Sequence, residues 1–324
     1  MMKRVLSGIQ PSGKLHLGNY LGAIKPHLDT QLRDDVDRFF FIANYHALTT
    51  LRDPELVREY SFDVARTYLA LGLDPAKSLL FLQSDVPEVT ELTWYLSCMA
   101  GMGQLERCTS YKDKKARGLE TNHGLFAYPV LQSADILVYD SHIVPVGKDQ
   151  KQHVELCRDL ANSLNHVYGD VLVVPEVQIK EDVAVVPGVD GQKMSKSYGN
   201  TIDLFTTKKK LKSQVMSIVT DSKGLDDPKD PDTCHIFALY KHFSTAEEQA
   251  EMAENYRGGG YGYGHAKLAL LEKINQTIGP HQDRYQHLTQ NPDEVIDVLR
   301  DCGKKARAVA RGVIDRVRNA VGML

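Results

Sequence analysis

The sequence predicts an α/β fold, a parallel sheet covered by helices on both faces, followed by a smaller all-helical unit. Three observations predict it. Short apolar runs alternate with longer segments of helical periodicity up to about residue 200. Strand signals nearly vanish beyond that point. The first apolar run passes directly into a glycine-bearing turn and a helix start, the βα arrangement that seats a ligand at the carboxyl ends of the strands.

The elements follow in order. Arg4–Ile9, Arg38–Ala43, Ser78–Gln83 and Ile143–Gly147 are short apolar runs bounded by polar or turn residues, and read as buried strands. Pro54–Leu73 and Glu91–Met99 carry helical periodicity between them. Later, Leu204–Val219, Ala246–Tyr256, Ala266–Ile278 and Pro292–Val321 read as helices, and Gly258–Gly264 as a loop. The expected division is an α/β domain over 1–200 and a helical domain over 201–291. The last helix, about 292–324, is expected to pack back near the first domain. No internal repeat is visible.

The bulk numbers exclude several classes. With 324 residues, 42% hydrophobic and 25% charged, the chain can bury a core unaided. No apolar run approaches the ~18 residues that cross a bilayer, so no membrane partner is expected. The opening MMKRVLSGIQPSG lacks the apolar stretch of a signal peptide, and the expected location is cytoplasmic. Five scattered cysteines without a CxxC pair argue against a structural metal, and His153 with Cys157, four apart, reads as ordinary packing. A net charge of −3 argues against a general nucleic-acid coat but leaves room for one RNA held by local basic patches.

Two short segments carry chemistry. Residues 10–22, GlnProSerGlyLysLeuHisLeuGlyAsnTyrLeuGly, form a strand end, a tight turn and a helix start. Pro11 and Gly13 shape the turn, Ser12 can cap, and Gly18 lets a ligand approach the backbone. The helix is expected to aim its first N–H groups at an anion, with His16 and Asn19 adding donors. The segment is neither a Walker loop nor a GxGxxG fingerprint, and taken alone it is also an ordinary βα turn. Residues 191–200, GlyGlnLysMetSerLysSerTyrGlyAsn, carry Lys193 and Lys196 with Ser195 and Ser197 between glycines. That describes a mobile loop able to bring two ammonium groups onto a polyphosphate. Alone, it is also a solvated surface loop.

Together the two segments are more specific. His16-Leu17-Gly18-Asn19 resembles the first signature of class I aminoacyl-tRNA synthetases, and Lys193-Met194-Ser195-Lys196-Ser197 matches the second, KMSKS, at every residue. Their order and separation of about 175 residues suit the smallest members of that class. SerGlyIleGlnProSerGly, GlyAsnTyrLeuGlyAla, SerAlaAspIleLeu and ValProValGlyLysAspGlnLysGlnHis are similar to the tryptophanyl branch. The likeness runs from residue 5 through the last helix.

That resemblance implies a Rossmann-type catalytic domain, a helical anticodon-binding domain, a homodimer, and ATP, L-tryptophan and tRNA(Trp) as partners. It implies ATP contacts at Gln10, Pro11, Ser12, Gly18 and Asn19, at Gly147, Lys148 and Asp149, at Val186, and at Lys193, Met194, Ser195, Lys196 and Ser197. Lys114 matches a phosphate-binding lysine of the family, with Lys112 its neighbour. Lys193 and Lys196 then take the leaving pyrophosphate, Ser195 lies between them, and Mg²⁺ arrives with the nucleotide. His16 and Asn19 donate to phosphate oxygens.

Indole offers one polar handle, an N–H that only donates, so its site needs a buried acceptor. Asp135 fits, amid apolar neighbours, although alone it also reads as a helix N-cap. The family places its indole acceptor there. Gln10, His46, Tyr128, Gln132 and Gln150 resemble other members of the amino-acid pocket, with Leu6, Val144 and Val146 as apolar walls.

Two positions depart from the branch. Gln132 with Asp135 forms the QxxD pair of the tyrosyl sister enzymes, where many tryptophanyl sequences carry Met; Lys148 stands where the family usually has an acidic residue. A tyrosyl-type enzyme therefore stays open, as does an adenylating paralogue that does not use tRNA. The intact lysines argue against a non-catalytic nucleotide-binding regulator. For RNA, Lys208, Lys209, Lys210 and Lys212, and Lys304, Lys305, Arg307, Arg311, Arg316 and Arg318, are basic runs that can track phosphates or simply be solvated. Phe205, Tyr240, Tyr261 and Tyr263 are the aromatic candidates for stacking on bases.

Overall fold

A computed structural model describes residues 2–108, 111–112, 121–147, 150–179 and 186–323. β1 (Lys3–Ile9) leads into α1 (Leu17–Asn19), a π-helical turn (Tyr20–Ile24) and α2 (Lys25–Thr30). β2 (Val36–Ile42) precedes α3 (Asn44–Ala47) and α4 (Pro54–Ala70). β3 (Leu79–Leu82) is followed by a 3-10 turn (Gln83–Asp85), α5 (Glu88–Ser97) and α6 (Met102–Glu106). Next come α7 (His123–Leu137), β4 (Ile143–Val146), α8 (Lys151–Tyr168) and β5 (Glu176–Ile179). The remainder is helical: α9 (Lys208–Met216), α10 (His235–Tyr240), α11 (Ala246–Gly258), α12 (Tyr263–Ile278), α13 (Gln282–Gln290) and α14 (Pro292–Val321).

The strands form a five-stranded sheet in the order β3-β2-β1-β4-β5, and every pairing is parallel. Order reverses between β1 and β4, so their carboxyl ends open a crevice, the place where such sheets bind ligands. Side chains alternate across β2. Phe40 and Ile42 enter the core on one face; Phe39 and Phe41 enter the other. Each such ring or branched side chain, fully buried, contributes about 1.5–3 kcal/mol.

The two cores have different partners. One joins α4 and the π-helical turn to the helices after residue 200, through residues such as Tyr68, Ile202, Leu239 and Leu270. The other joins α5, α7 and α8 to the second half of α14. α14 contributes Val295 and Leu299 to the first core and Cys302 through Val317 to the second.

Ion pairs secure α14. Buried Glu88 accepts from Arg307 Nε at 2.8 Å and Arg311 Nε at 3.4 Å, and Glu91 accepts from Arg318 at 2.6 and 2.7 Å. Arg316 donates to Val171 O and Asp140. Of the two readings of this basic run, phosphate tracking or a solvated face, the structure adds a third role for these four arginines, fastening α14. Their partners lie on α5 and on the loops before β4 and β5.

Several boundaries moved for local reasons. α4 stops at Ala70 rather than Leu73 because Gly72 adopts φ +97. α9 starts at Lys208, four residues later than Leu204, because Thr207 Oγ1 caps it from Lys210 N–H. β5 has four residues and gave no strand signal; its register on β4 is what makes it a strand.

Candidate active site

β1 ends at Ile9, and the chain turns through Gln10–Leu15 before α1. Gly13 has φ +128, a backbone that disfavours side chains, and a Cβ there would lie 3.2 Å from Lys196 Cδ. The cap of α1 is His16 rather than Ser12, with Asn19 Oδ1 accepting from His16 N–H at 3.2 Å. The helix starts later because residues 15–17 pair with 202–204: Leu17 N–H donates to Ile202 O and Leu204 N–H to Leu15 O.

The first N–H groups of α1 are therefore not aimed at open space. Asn19 and Tyr20 N–H both donate to His16 O, and Gly18 N–H donates to Met194 Sδ at 3.2 Å. A thioether is a weak acceptor, so of these the Gly18 N–H is the donor a phosphate oxygen captures most readily, displacing Met194 Sδ. The space over Gly18 holds the His16 ring and Met194, where open room for a ligand was expected.

The His16 ring is buried, with Nδ1 lacking a partner. Burial, reinforced by the Lys196 charge, pushes its pKa down to about 4, against the opposing pull of Asp203. At neutral pH the ring is uncharged and offers one N–H as a donor.

The second segment folds onto the first. Lys196 Nζ donates to Gly13 O at 2.8 Å and lies 3.5 Å from Ser12 Oγ. Burial lowers its pKa to about 8, with Asp63 pulling the other way. Lys193 is exposed, as is Ser197, while Ser195 is half-buried. Met194 and Val186 are buried and joined by Met194 N–H donating to Val186 O at 2.8 Å.

A buried asparagine clasps the base of this loop. Asn200 Oδ1 accepts from Ser195 N–H at 2.8 Å; its Nδ2 donates to Asp190 Oδ1 at 2.7 Å and Lys193 O at 3.1 Å. The clasp needs Gly188, where a Cβ would meet the Asn200 amide at 2.4 Å.

The third group lies on the other face of the same sheet edge. Asp135 sits in the last turn of α7, which excludes the N-cap reading. It is 1% exposed and holds two partners. His46 Nε2 lies 2.8 Å from Oδ2; Gln83 Nε2 donates to Oδ1 at 2.8 Å and Oδ2 at 2.9 Å. Burial raises the Asp135 pKa, and the His46 and Gln83 bonds pull it back.

Tyr128 meets the His46 ring edge-on at 6.3 Å, and its hydroxyl lies 2.7 Å from His153 Nε2. Gln10 Nε2 donates to His46 O at 3.3 Å. Gln150 caps α8, with its N–H donating to Gly147 O at 3.0 Å. Leu6 and Val144 are buried in the core on this face, with Val146 packed against it; Gln132 is half-buried. Lys114, Lys148 and Asp149 lie outside the described residues.

Two residues of the site were missed from sequence, Gln83 and Asn200. Gln83 had a usable signal, a polar residue at the carboxyl end of an apolar strand, the edge where ligands bind. Of the aromatic candidates, Tyr240 is buried, and Phe205 stacks on Tyr285 at 4.2 Å. Tyr263 donates to Asp221, and Tyr261 packs on Tyr256. All four serve internal packing. In the first basic run Lys210 pairs with Asp203 at 2.6 Å, while Lys208, Lys209 and Lys212 are exposed. Among the described residues no group of three or more His, Cys, Asp or Glu is placed to hold a metal, and no helix is long and apolar enough to cross a membrane.

Comparison with known proteins identifies the family. Residues 2–279 match the family model for class I tRNA synthetases (W and Y). The chain is 52% identical to a tryptophan–tRNA ligase of Rhodopirellula baltica over 99% of both chains. It is 53% identical to that of Fusobacterium nucleatum over 100% of this chain and 99% of the relative. The solved tryptophanyl-tRNA synthetase of Campylobacter jejuni, complexed with ADP and tryptophan, superposes with a TM-score of 0.91 at 49% identity, covering 98% of this chain and 99% of that one. The chain therefore belongs to the class I tRNA synthetases for tryptophan and tyrosine, and its reaction is tryptophan–tRNA ligation.

Proposed function

We propose that the ligation runs in the crevice at the carboxyl ends of β1 and β4, with the residues assembled there. The observation that carries this is the closure of the two signature segments on each other, Lys196 Nζ on Gly13 O and Gly18 N–H on Met194 Sδ. The tryptophan carboxylate attacks the α-phosphorus of ATP, the bond to the β-phosphate oxygen breaks, and pyrophosphate leaves. The 3′-terminal ribose hydroxyl of tRNA(Trp) then attacks the activated carbonyl, loses its proton, and AMP leaves. No covalent enzyme intermediate is required, so positioning and charge neutralisation supply the rate.

Lys193 and Lys196 neutralise the departing pyrophosphate, Ser195 and Ser197 line the same loop, and Lys114 adds charge. Neutral His16 and the Asn19 amide donate to phosphate oxygens. Gln10, Pro11, Ser12, Gly18, Gly147, Lys148, Asp149, Val186 and Met194 enclose the nucleotide. Mg²⁺ enters with ATP and neutralises part of its charge; no protein ligand is assigned to it. Asp135 accepts from the indole N–H, with His46, Tyr128, Gln132 and Gln150 around the amino acid.

Residues 1–200 form the catalytic domain, and 201–291 bind the anticodon arm with exposed Lys208, Lys209 and Lys212 at its near end. Trp94 and Met102, on adjacent helices and 69% and 65% exposed, supply apolar surface for a homodimer. The tRNA half is tested by mixing isolated enzyme-bound tryptophanyl-adenylate with tRNA(Trp) in the absence of ATP. Esterified tryptophan on the tRNA is expected; release of free tryptophan with uncharged tRNA contradicts the proposal.

Two results follow for the lysine loop. Free Lys196 titrates near pH 8, and a bound polyphosphate raises its pKa. Below 8 the ammonium is already present. Above 8, ATP binding must take up a proton, so affinity falls about tenfold per pH unit, and Lys196→Arg abolishes the fall. Equilibrium dialysis with ATP between pH 7 and 10 reads it; equal slopes in both proteins contradict it. Asn200→Ala removes three bonds from the loop base and lowers the single-turnover adenylation rate by about 10–100-fold, with tryptophan affinity unchanged. A matching loss of tryptophan affinity rules out a loop-specific role.

A further inference from the structure

We propose that Gln83 is a specificity-positioning residue: its carboxamide holds the Asp135 carboxylate in one orientation, as an acceptor with room for one further donor. This rests on the reading of Asp135 as the indole acceptor.

Gln83 is fully buried at the end of β3. Its amide cannot turn over, because Oε1 already accepts from Tyr45 N–H at 2.9 Å. That bond commits Nε2 to the Asp135 side, where it reaches both carboxylate oxygens. The neighbouring residues repeat the link. Ser84 N–H donates to Asn44 Oδ1 at 3.1 Å, and Asn44 Nδ2 donates to Ser84 Oγ at 2.8 Å. The turn after β3 and α3 are thus one stapled unit, and that unit grips Asp135 from two sides, through Gln83 and His46.

The unit is backed from behind. Gly303 of α14 presses against Asp85, where a Cβ would lie 3.0 Å from Asp85 Cβ. The chemistry then follows from donor counting. Gln83 spends its donor on Asp135 and its acceptor on Tyr45, and one His46 nitrogen faces Asp135. A ligand N–H finds a fixed lone pair on Asp135. A ring edge that lacks a donor meets a desolvated carboxylate instead.

The experiment compares tryptophan with 3-(benzothiophen-3-yl)alanine, which carries sulfur in place of the ring N–H. Amino-acid-dependent ATP–pyrophosphate exchange is measured for wild type, Gln83→Met, Gln83→Glu and Asp135→Asn. Gln83→Met is expected to raise KM for tryptophan about 10–100-fold, with kcat and KM for ATP nearly unchanged. The tryptophan-to-analogue ratio of kcat/KM should fall by at least about tenfold in that variant. Should Gln83→Met fail to fold, Gln83→Glu decides: it keeps the Tyr45 bond, replaces the amide donor with a carboxyl oxygen, and should show the same loss of discrimination. An unchanged ratio in a folded Gln83 variant, beside a collapsed ratio in Asp135→Asn, overturns the proposal alone. An unchanged ratio in Asp135→Asn overturns the underlying reading of Asp135 instead.

Discussion

Lys196→Ala lowers the single-turnover rate of adenylate formation by about 10²–10³-fold, the loss typical of removing one preorganised electrostatic contact, and leaves tryptophan affinity nearly unchanged. Lys196 bonds to the turn after β1, and none of its contacts is shared with Asp135, His46 or Gln83. In the proposed role its charge serves ATP binding and the breaking of the α–β phosphate bond, so at saturating ATP the effect falls on the rate and not on amino-acid binding. Folding is not the cause of the loss. The folded-state pKa, about 8, lies below the usual lysine value of 10.5, so burying the ammonium opposes folding below pH 8. That opposition fades as pH rises from 8 towards 10.5, and alanine removes it altogether. Set against the lost bond to Gly13 O, this leaves the melting temperature of the variant at pH 7 within a few degrees of wild type. Rapid-quench assays at saturating ATP, with equilibrium dialysis for tryptophan, give both numbers; equal losses in the two contradict the assignment.

Asp135→Asn has the second large effect. The carboxylate accepts from Gln83 and faces His46 while almost fully buried. Asparagine supplies one acceptor and one NH₂ group. If its oxygen keeps the Gln83 bond, its NH₂ is left facing the indole N–H, two donors in contact. Sites built around one such hydrogen bond discriminate by ~10⁴–10⁵-fold, so a fall in kcat/KM for tryptophan of at least about 10³-fold is expected. Most of it should appear in KM. Losing one of the two carboxylate oxygens that face Gln83 and His46 also destabilises the fold by about 1–3 kcal/mol, a few degrees in Tm. Exchange kinetics with calorimetry check both; a variant with wild-type KM places the indole elsewhere.

What was legible in the sequence is what short range encodes. The two signature segments holding His16, Lys193 and Lys196 stood out by residue type and order, and β1 to β4 were visible because buried parallel strands are continuous apolar runs. Pairings across long separations were not visible. Glu88 and Arg307 are 219 residues apart, and Gln83 and Asp135 are 52 apart; only the topology brings them together. The arginines of α14 thus read only as a basic run, for phosphates or for solvent, until their acidic partners on α5 and at Asp140 appeared. Ser12 lost the cap to His16 for the same reason, since residues 202–204 pair with 15–17 and delay the helix. Beyond residue 200 periodicity found α9, α11 and α12 and missed the short α10 and α13, and the aromatic candidates there pack inward, because periodicity tells an apolar face from a polar one and not a core from a base-stacking surface.

Gln132 keeps one question quantitative, since a phenol hydroxyl can also donate to Asp135. ATP–pyrophosphate exchange measured in parallel with L-tryptophan and L-tyrosine answers it directly. The predicted result is exchange dependent on tryptophan, with kcat/KM for tyrosine lower by at least about 10³-fold. Exchange with tyrosine and none with tryptophan would contradict the account.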